Sequence, residues 1–270
     1  MSSDLENLIN GISDTVRVLQ LVINSKDRED YNITSSTDFR VNLLNPINAS
    51  ILAYGLESCC IPKTSYNISA SNNSFEIEDS VGIKTVTIPV GNYSSTALQT
   101  ELQTQLNALT PDTYVVSITN NHFSIVSSSP DFILNPNDTY FNLLMNLGYN
   151  PDIAYNASLT DPPNYFVDAP YIFDLSGSKN LYIKIEQLSE YMRDTRNLSC
   201  NFKVDYGCPF GSIVYFGNAA NYKQDFTTIQ NHLIRPSYFD VKLLDENNEV
   251  VDLNGSNWTM VLRFITKDLY

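Results

Sequence analysis

The sequence predicts an all-β fold: one antiparallel sandwich interrupted by a small α+β insertion and preceded by a short N-terminal arm. Three observations carry this. Aromatic residues are plentiful, with 17 Tyr and 13 Phe in 270 residues, and aromatic and β-branched side chains suit pleated, half-buried surfaces. Short apolar runs recur in both flanking parts of the chain, several with period-two alternation, and turn residues separate them. The 31 Asn supply many of those turns, because Asn tolerates left-handed backbone. Between the two β-rich parts lies the one segment with strong helical periodicity.

Residues 1–15 read as the arm. Ser3 and Glu6 stand at capping-box spacing. Leu5, Leu8, Ile9 and Ile12 then fall on one helical face, and Gly11 and Ser13 stop the run. A helix of two or three turns is marginal alone, so this apolar stripe is the candidate partner contact. Docking on its own domain would use the same residues.

The first part of the sandwich is expected over 16–72. Val16–Ile23 is a β-branched run, Phe39–Leu43 alternates apolar and polar, and Ile51–Leu56 continues toward Ile61. Pro62 ends that strand or marks an edge.

Residues 73–150 are expected to be the inserted α+β unit. Phe75–Ile77 and Thr85–Ile88 are short strands. Leu98, Leu102, Leu106 and Leu109 form a helical stripe over Ser95–Leu109, with Thr96 and Gln99 as a capping pair and Pro111 as the stop. Tyr114–Thr119 and His122–Val126 flank Asn120-Asn121 as a hairpin. Phe141–Leu147 is a short helix that Gly148 ends.

The second part of the sandwich is expected over 151–270. Residues 151–168 read as loop. Strands follow at Tyr171–Leu175, Leu181–Ile185, Phe202–Val204, Ile213–Phe216, Phe239–Leu244, Val250–Leu253 and Trp258–Ile265. Eight or nine strands joined by long loops favour a single jelly-roll sandwich over an immunoglobulin-like one.

Charge narrows the function. With 16 basic and 30 acidic residues the net charge is −14. Lys and Arg are scattered, with no basic patch to hold a phosphate backbone, so direct nucleic-acid binding is not expected. No stretch reaches the ~18–20 apolar residues of a membrane span. The N-terminus lacks the basic and apolar regions of a secretory signal.

No constellation of catalytic or metal-binding residues stands out, and no cofactor is predicted. His122 and His232 have no partner at metal spacing. Cys59, Cys60, Cys200 and Cys208 are expected as free thiols, with a Cys200–Cys208 bridge the alternative. No phosphate loop, dinucleotide fingerprint or nucleophile elbow occurs. The acidic runs Asp27–Asp30 and Asp245-Glu246 read as solvated turns before calcium loops. The aromatic stretches Tyr155–Tyr165 and Tyr206–Tyr222 read as packing at loop bases, with a sugar- or receptor-binding face as the alternative.

Three phrases in this order carry a resemblance. They are Leu21–Arg28 with Asp38–Leu43 and Ile61–Asn67, then Thr85–Tyr93 followed by the Leu-striped helix, then Asp252–Leu262. Together they resemble the penton, or minor capsid, proteins of virophages and Polinton-like elements, with relatives among nucleocytoplasmic large DNA viruses. The resemblance implies an upright single jelly roll in a virion shell assembled in the host cytoplasm. Five copies would close each fivefold vertex, with major capsid protein trimers around them. It implies no catalytic residue. A host receptor or glycan is a further partner such a vertex could take. A carbohydrate- or receptor-binding jelly-roll module is the alternative function.

Overall fold

The computed structural model describes residues 16–109, 111–161, 164–188, 192–193, 199–217, 226–234 and 236–268; in 159–161, 192–193, 199 and 230–234 it describes the backbone alone. The chain divides into two compact units, Met1–Ser65 with Ser178–Tyr270, and Tyr66–Gly177.

In chain order, the first unit opens with β1 (Val16–Asn24), β2 (Asp38–Asn42) and β3 (Ala49–Pro62). The second unit holds β4 (Ser74–Asp79), β5 (Gly82–Thr87), α1 (Ser95–Leu109), β6 (Tyr114–Thr119), β7 (His122–Ser127), β8 (Ile133–Leu134), α2 (Asn142–Leu147), β9 (Tyr155–Asn156), β10 (Ser158–Asp161) and β11 (Asn164–Asp168). The first unit resumes with β12 (Asn180–Ile185), β13 (Met192–Arg193), β14 (Ser199–Cys200), β15 (Phe202–Asp205), β16 (Ile213–Gly217), β17 (Thr227–Ile234), β18 (Tyr238–Leu244) and β19 (Thr259–Asp268).

Strand pairing in the first unit is nested. β1 pairs β19, β2 pairs β18, β3 pairs β16 and β12 pairs β15, all antiparallel. Eight strands therefore pair first with last, second with seventh, third with sixth and fourth with fifth. Rolled up, they form two sheets, ordered β1-β19-β3-β16 and β15-β12-β18-β2, and β17 joins the first by pairing the start of β3 on the side where β16 pairs its end. This is the jelly-roll wrapping, and the second unit lies in the connection between its third and fourth strands.

The strands alternate as a sandwich requires. In β12 and β18 every second residue is buried, and Ile23, Ile51, Leu262 and Phe264 from one sheet share a core with Phe39, Ile183, Val241 and Leu243 from the other. Phe239 and Phe264 stack across it, 6.0 Å between centroids. Polar groups inside this core are partnered, as burial demands. Asn201 accepts from the Ile185 amide and donates to the Tyr54 hydroxyl.

The second unit has its own core. The α1 leucines Leu98, Leu102 and Leu106 are fully buried against Tyr114, Val116 and Phe123 of the β6–β7 hairpin and Phe75 and Ile77 of β4. Asn120 and Asn121 both have positive φ, as the two-residue hairpin turn needs. Gly148 ends α2 in the left-handed region, and its amide reaches Met145 and Leu144 carbonyls.

Several expectations require correction. The second unit is wider at both ends than 73–150, because Asn67 donates to the Tyr93 and Leu175 carbonyls and so ties both chain ends of the unit together. Residues 151–168 are not loop throughout: β11 adds to β7, and β10 adds to β11. Tyr171–Leu175 is not a strand. Its amides donate to the carbonyls of Gly148, Asn121 and Asn146, at the end of α2 and in the hairpin turn, instead of to a ladder. Val250–Leu253 forms a single bridge, Leu244 to Val250, with the Val251 amide donating to the Leu243 carbonyl, and not a strand. Ser94, not Thr96, caps α1 by accepting from the Ala97 amide, and Gln99 reaches across to the Val116 carbonyl. Leu109, at the helix end, is exposed. His232 lies in β17, which pairs β3, not in a polar loop.

Candidate assembly surfaces

The two outer faces of the sandwich differ in chemistry. On the β2–β18–β12–β15 sheet the outward positions are charged. Arg40 grips Asp240 with two bonds of 2.8 and 3.0 Å and lies 4.1 Å over the Tyr238 ring. Gln187 donates to Asp240 and accepts from its amide. Lys184 and Lys242 both reach Glu186 at 3.7 Å. The Arg40 guanidinium holds the Asp240 carboxyl below its ordinary value. Exposed pairs of this kind stabilise little, and the face reads as solvated.

The other sheet exposes apolar groups at both edges. β1 runs beside β19 for nine residues in unbroken register. Val18 and Val22 are 61% and 66% exposed, and Leu19 also faces solvent. At the opposite edge, which β16 and β17 share, β16 exposes Ile213 (69%), Tyr215 (70%) and Phe216. Between them the outer face carries a polar cluster in which Arg263 pairs with Glu57 at 2.9 Å and Gln20 donates to the same carboxylate at 2.7 Å. β16 carries no charge and β1 only Arg17, which is paired with Asp268.

Sequence reading missed both edges. The signal was present in β1: a half-buried strand should alternate, yet Val18 and Val22 are apolar on the opposite parity from Leu21 and Ile23.

The other candidates fall elsewhere. Leu5, Leu8, Ile9 and Ile12 lie outside the described residues, as does Tyr222. All four cysteines are free thiols, and burial pushes Cys59 up to about 12. His122 Nδ1 sits 2.8 Å from the Ala169 carbonyl, a structural contact; the His232 side chain is outside the described residues. Among the described residues no three His, Cys, Asp or Glu groups converge to hold a metal, and no helix is long and apolar enough to cross a membrane.

The aromatic stretches divide: Tyr155 and Tyr206 are used in packing, whereas Phe210, Tyr215 and Phe216 are exposed. Tyr155 sets its ring edge-on to Tyr149 at 5.4 Å and accepts from the Asn150 amide. Tyr206 is buried, donates to the Pro62 carbonyl and underlies the Lys63 ammonium at 4.0 Å. Lys63, a buried cation that the sequence did not flag, donates to the Ser178 carbonyl at 2.6 Å. Asp245 is a turn residue, accepting from the Asn247 and Glu249 amides. The Asp27–Asp30 run is likewise a turn, in which the Asp30 carbonyl accepts from the Ile33 and Thr34 amides.

The nested pairing, the two sheets and the placement of the second unit define a single jelly roll with an α+β unit inserted between its third and fourth strands. Among solved structures, this fold is similar to that of the mavirus penton protein, seen in its selenomethionine-labelled crystal structure. The TM-score is 0.51 at 11% sequence identity, and the match covers 94% of this chain and all of that one. No protein-family model matches the sequence. No curated protein matches it either.

Proposed function

We propose that this chain is a structural virion protein, a penton-type minor capsid subunit that closes the fivefold vertices of an icosahedral double-stranded DNA virus as a pentamer. The observation that carries the reading is the fold likeness to a penton protein along 94% of the chain, with the inserted unit included in that span. The order of the three sequence phrases points the same way. The chemistry is compatible. A net charge of −14 suits a shell component that does not condense nucleic acid. A structural subunit needs no converging catalytic groups, only flanks that differ from one another, because a ring is closed by heterologous contacts.

In this reading the partners are four further copies of the chain and the surrounding major capsid protein trimers. The arm residues Leu5, Leu8, Ile9 and Ile12 are proposed to contact a neighbouring subunit. Co-expression with a double-jelly-roll major capsid protein tests the function. Retention of the chain in purified shells supports it. Shells that form without the chain, with the chain left free in solution, overturn it.

A further inference from the structure

We infer that the two edges of the β1-β19-β3-β16 sheet are the opposite halves of one contact between copies of this chain: Val18, Leu19 and Val22 of one copy against Ile213, Tyr215 and Phe216 of the next. The inference rests on the capsid reading for its biological setting and on the sheet alone for its geometry.

An exposed, long, apolar edge strand invites pairing, and proteins ordinarily blunt such edges with Lys, Pro or a bulge. β1 has none of these devices. Its nine residues run without Pro or Lys, and its register with β19 has no break. β16, which shares its side of β3 with β17, is likewise free of Pro and charge, a five-residue run of Ile, Val, Tyr, Phe and Gly.

Charge restricts where two copies can meet. Two copies that each carry −14 repel, and a contact between them must lie where like charges are absent. The two edges are such places: β16 is uncharged, and the one charge of β1, Arg17, is neutralised by Asp268. The charged outer face of the second sheet is not.

Strand direction selects the symmetry. Neighbours are antiparallel throughout, from β1 to β19 to β3 to β16. Four alternating strands leave β1 and β16 running in opposite senses, so β1 of a rotated copy meets β16 in the antiparallel sense. The two edges differ in sequence, so the contact is heterologous, the kind that closes a ring when the rotation between copies is a whole fraction of a turn. A β1-to-β1 contact would give only a twofold dimer.

Complementation tests this. One variant carries Val18→Lys with Val22→Lys, the other Ile213→Lys with Tyr215→Lys; all four positions are solvent-exposed. Light scattering over a concentration series, under reducing conditions, reads the mass. Wild type is expected to form rings, and each variant alone to associate about thirtyfold more weakly or worse. An equimolar mixture of the two is expected to give a discrete two-chain species, because one intact edge remains on each partner. A β16 variant that assembles like wild type, or a mixture that stays monomeric, overturns the inference. So does a wild type that remains monomeric at its highest soluble concentration, although the capsid reading falls only if the chain is also excluded from shells. Should either variant fail to fold, hydrogen exchange on wild type decides: association must protect the amides of both Val16–Asn24 and Ile213–Gly217.

Discussion

The indole Nε1 of Trp258 donates to the Ser36 carbonyl at 2.7 Å, deep in the jelly roll. The same residue exchanges two further bonds with Ser25, the Trp258 amide to the Ser25 hydroxyl and the Ser25 amide to the Trp258 carbonyl. The start of the last strand is thereby clamped to the end of the first strand and to the loop leading to the second. Phe39 packs edge-on against the ring at 6.2 Å.

Trp258→Ala is expected to destabilise the protein by about 3–5 kcal/mol, the usual range for emptying a large buried aromatic site. Trp258→Phe should cost less, about 1–3 kcal/mol, chiefly by leaving the Ser36 carbonyl unpaired. Denaturant unfolding checks both. This is the single Trp of the chain, so wild-type emission is expected to be blue-shifted when folded.

Gly148→Ala should disrupt the second unit. Gly148 sits at φ +90°, and a Cβ there would run into the Tyr171 carbonyl. Left-handed strain and the backbone clash together are expected to cost at least about 2 kcal/mol. Hydrogen exchange should show the loss in α2 and the β6–β7 hairpin.

Asp240→Asn is expected to lower the thermal midpoint at pH 7 by about 1–2 °C, a small effect because the pair with Arg40 is partly exposed. The sign follows from the depressed carboxyl of Asp240. Its contribution is present above the ordinary carboxylate value of ~3.9 and is lost as pH falls through the lower, folded value. Melting curves of the two proteins should therefore converge in strong acid. A difference that persists there would locate the effect in packing.

Thiol labelling should divide the four cysteines. Cys59 and Cys200 are buried, and Cys59 is pushed up to about 12 by that burial, whereas Cys60 and Cys208 are partly accessible. Reactivity follows thiolate and access. Mass spectrometry after native alkylation is expected to find label on Cys60 and Cys208 alone, and on all four after unfolding.

What the sequence made legible was local. The Leu98–Leu102–Leu106 stripe, the Asn120-Asn121 turn and the Gly148 stop each depend on a few neighbouring residues, and each stands where its pattern implied. What it hid was pairing between distant segments. β11 is a strand because β7 offers it an edge, and β17 is one because β3 does; neither segment alternates strongly enough to announce itself. Tyr171–Leu175 has strand composition but spends its amides on carbonyls of a helix end and a hairpin turn. The apolar edges were hidden for a related reason: Val18 and Tyr215 look like core residues until the sheet order puts them on its rims.

The most direct test of the central claim is electron cryomicroscopy of shells assembled from this chain and a double-jelly-roll major capsid protein. The account predicts five copies of the jelly roll around each fivefold axis, with β1 of one copy beside β16 of the next. Closed shells whose vertices hold no density for this chain would contradict it.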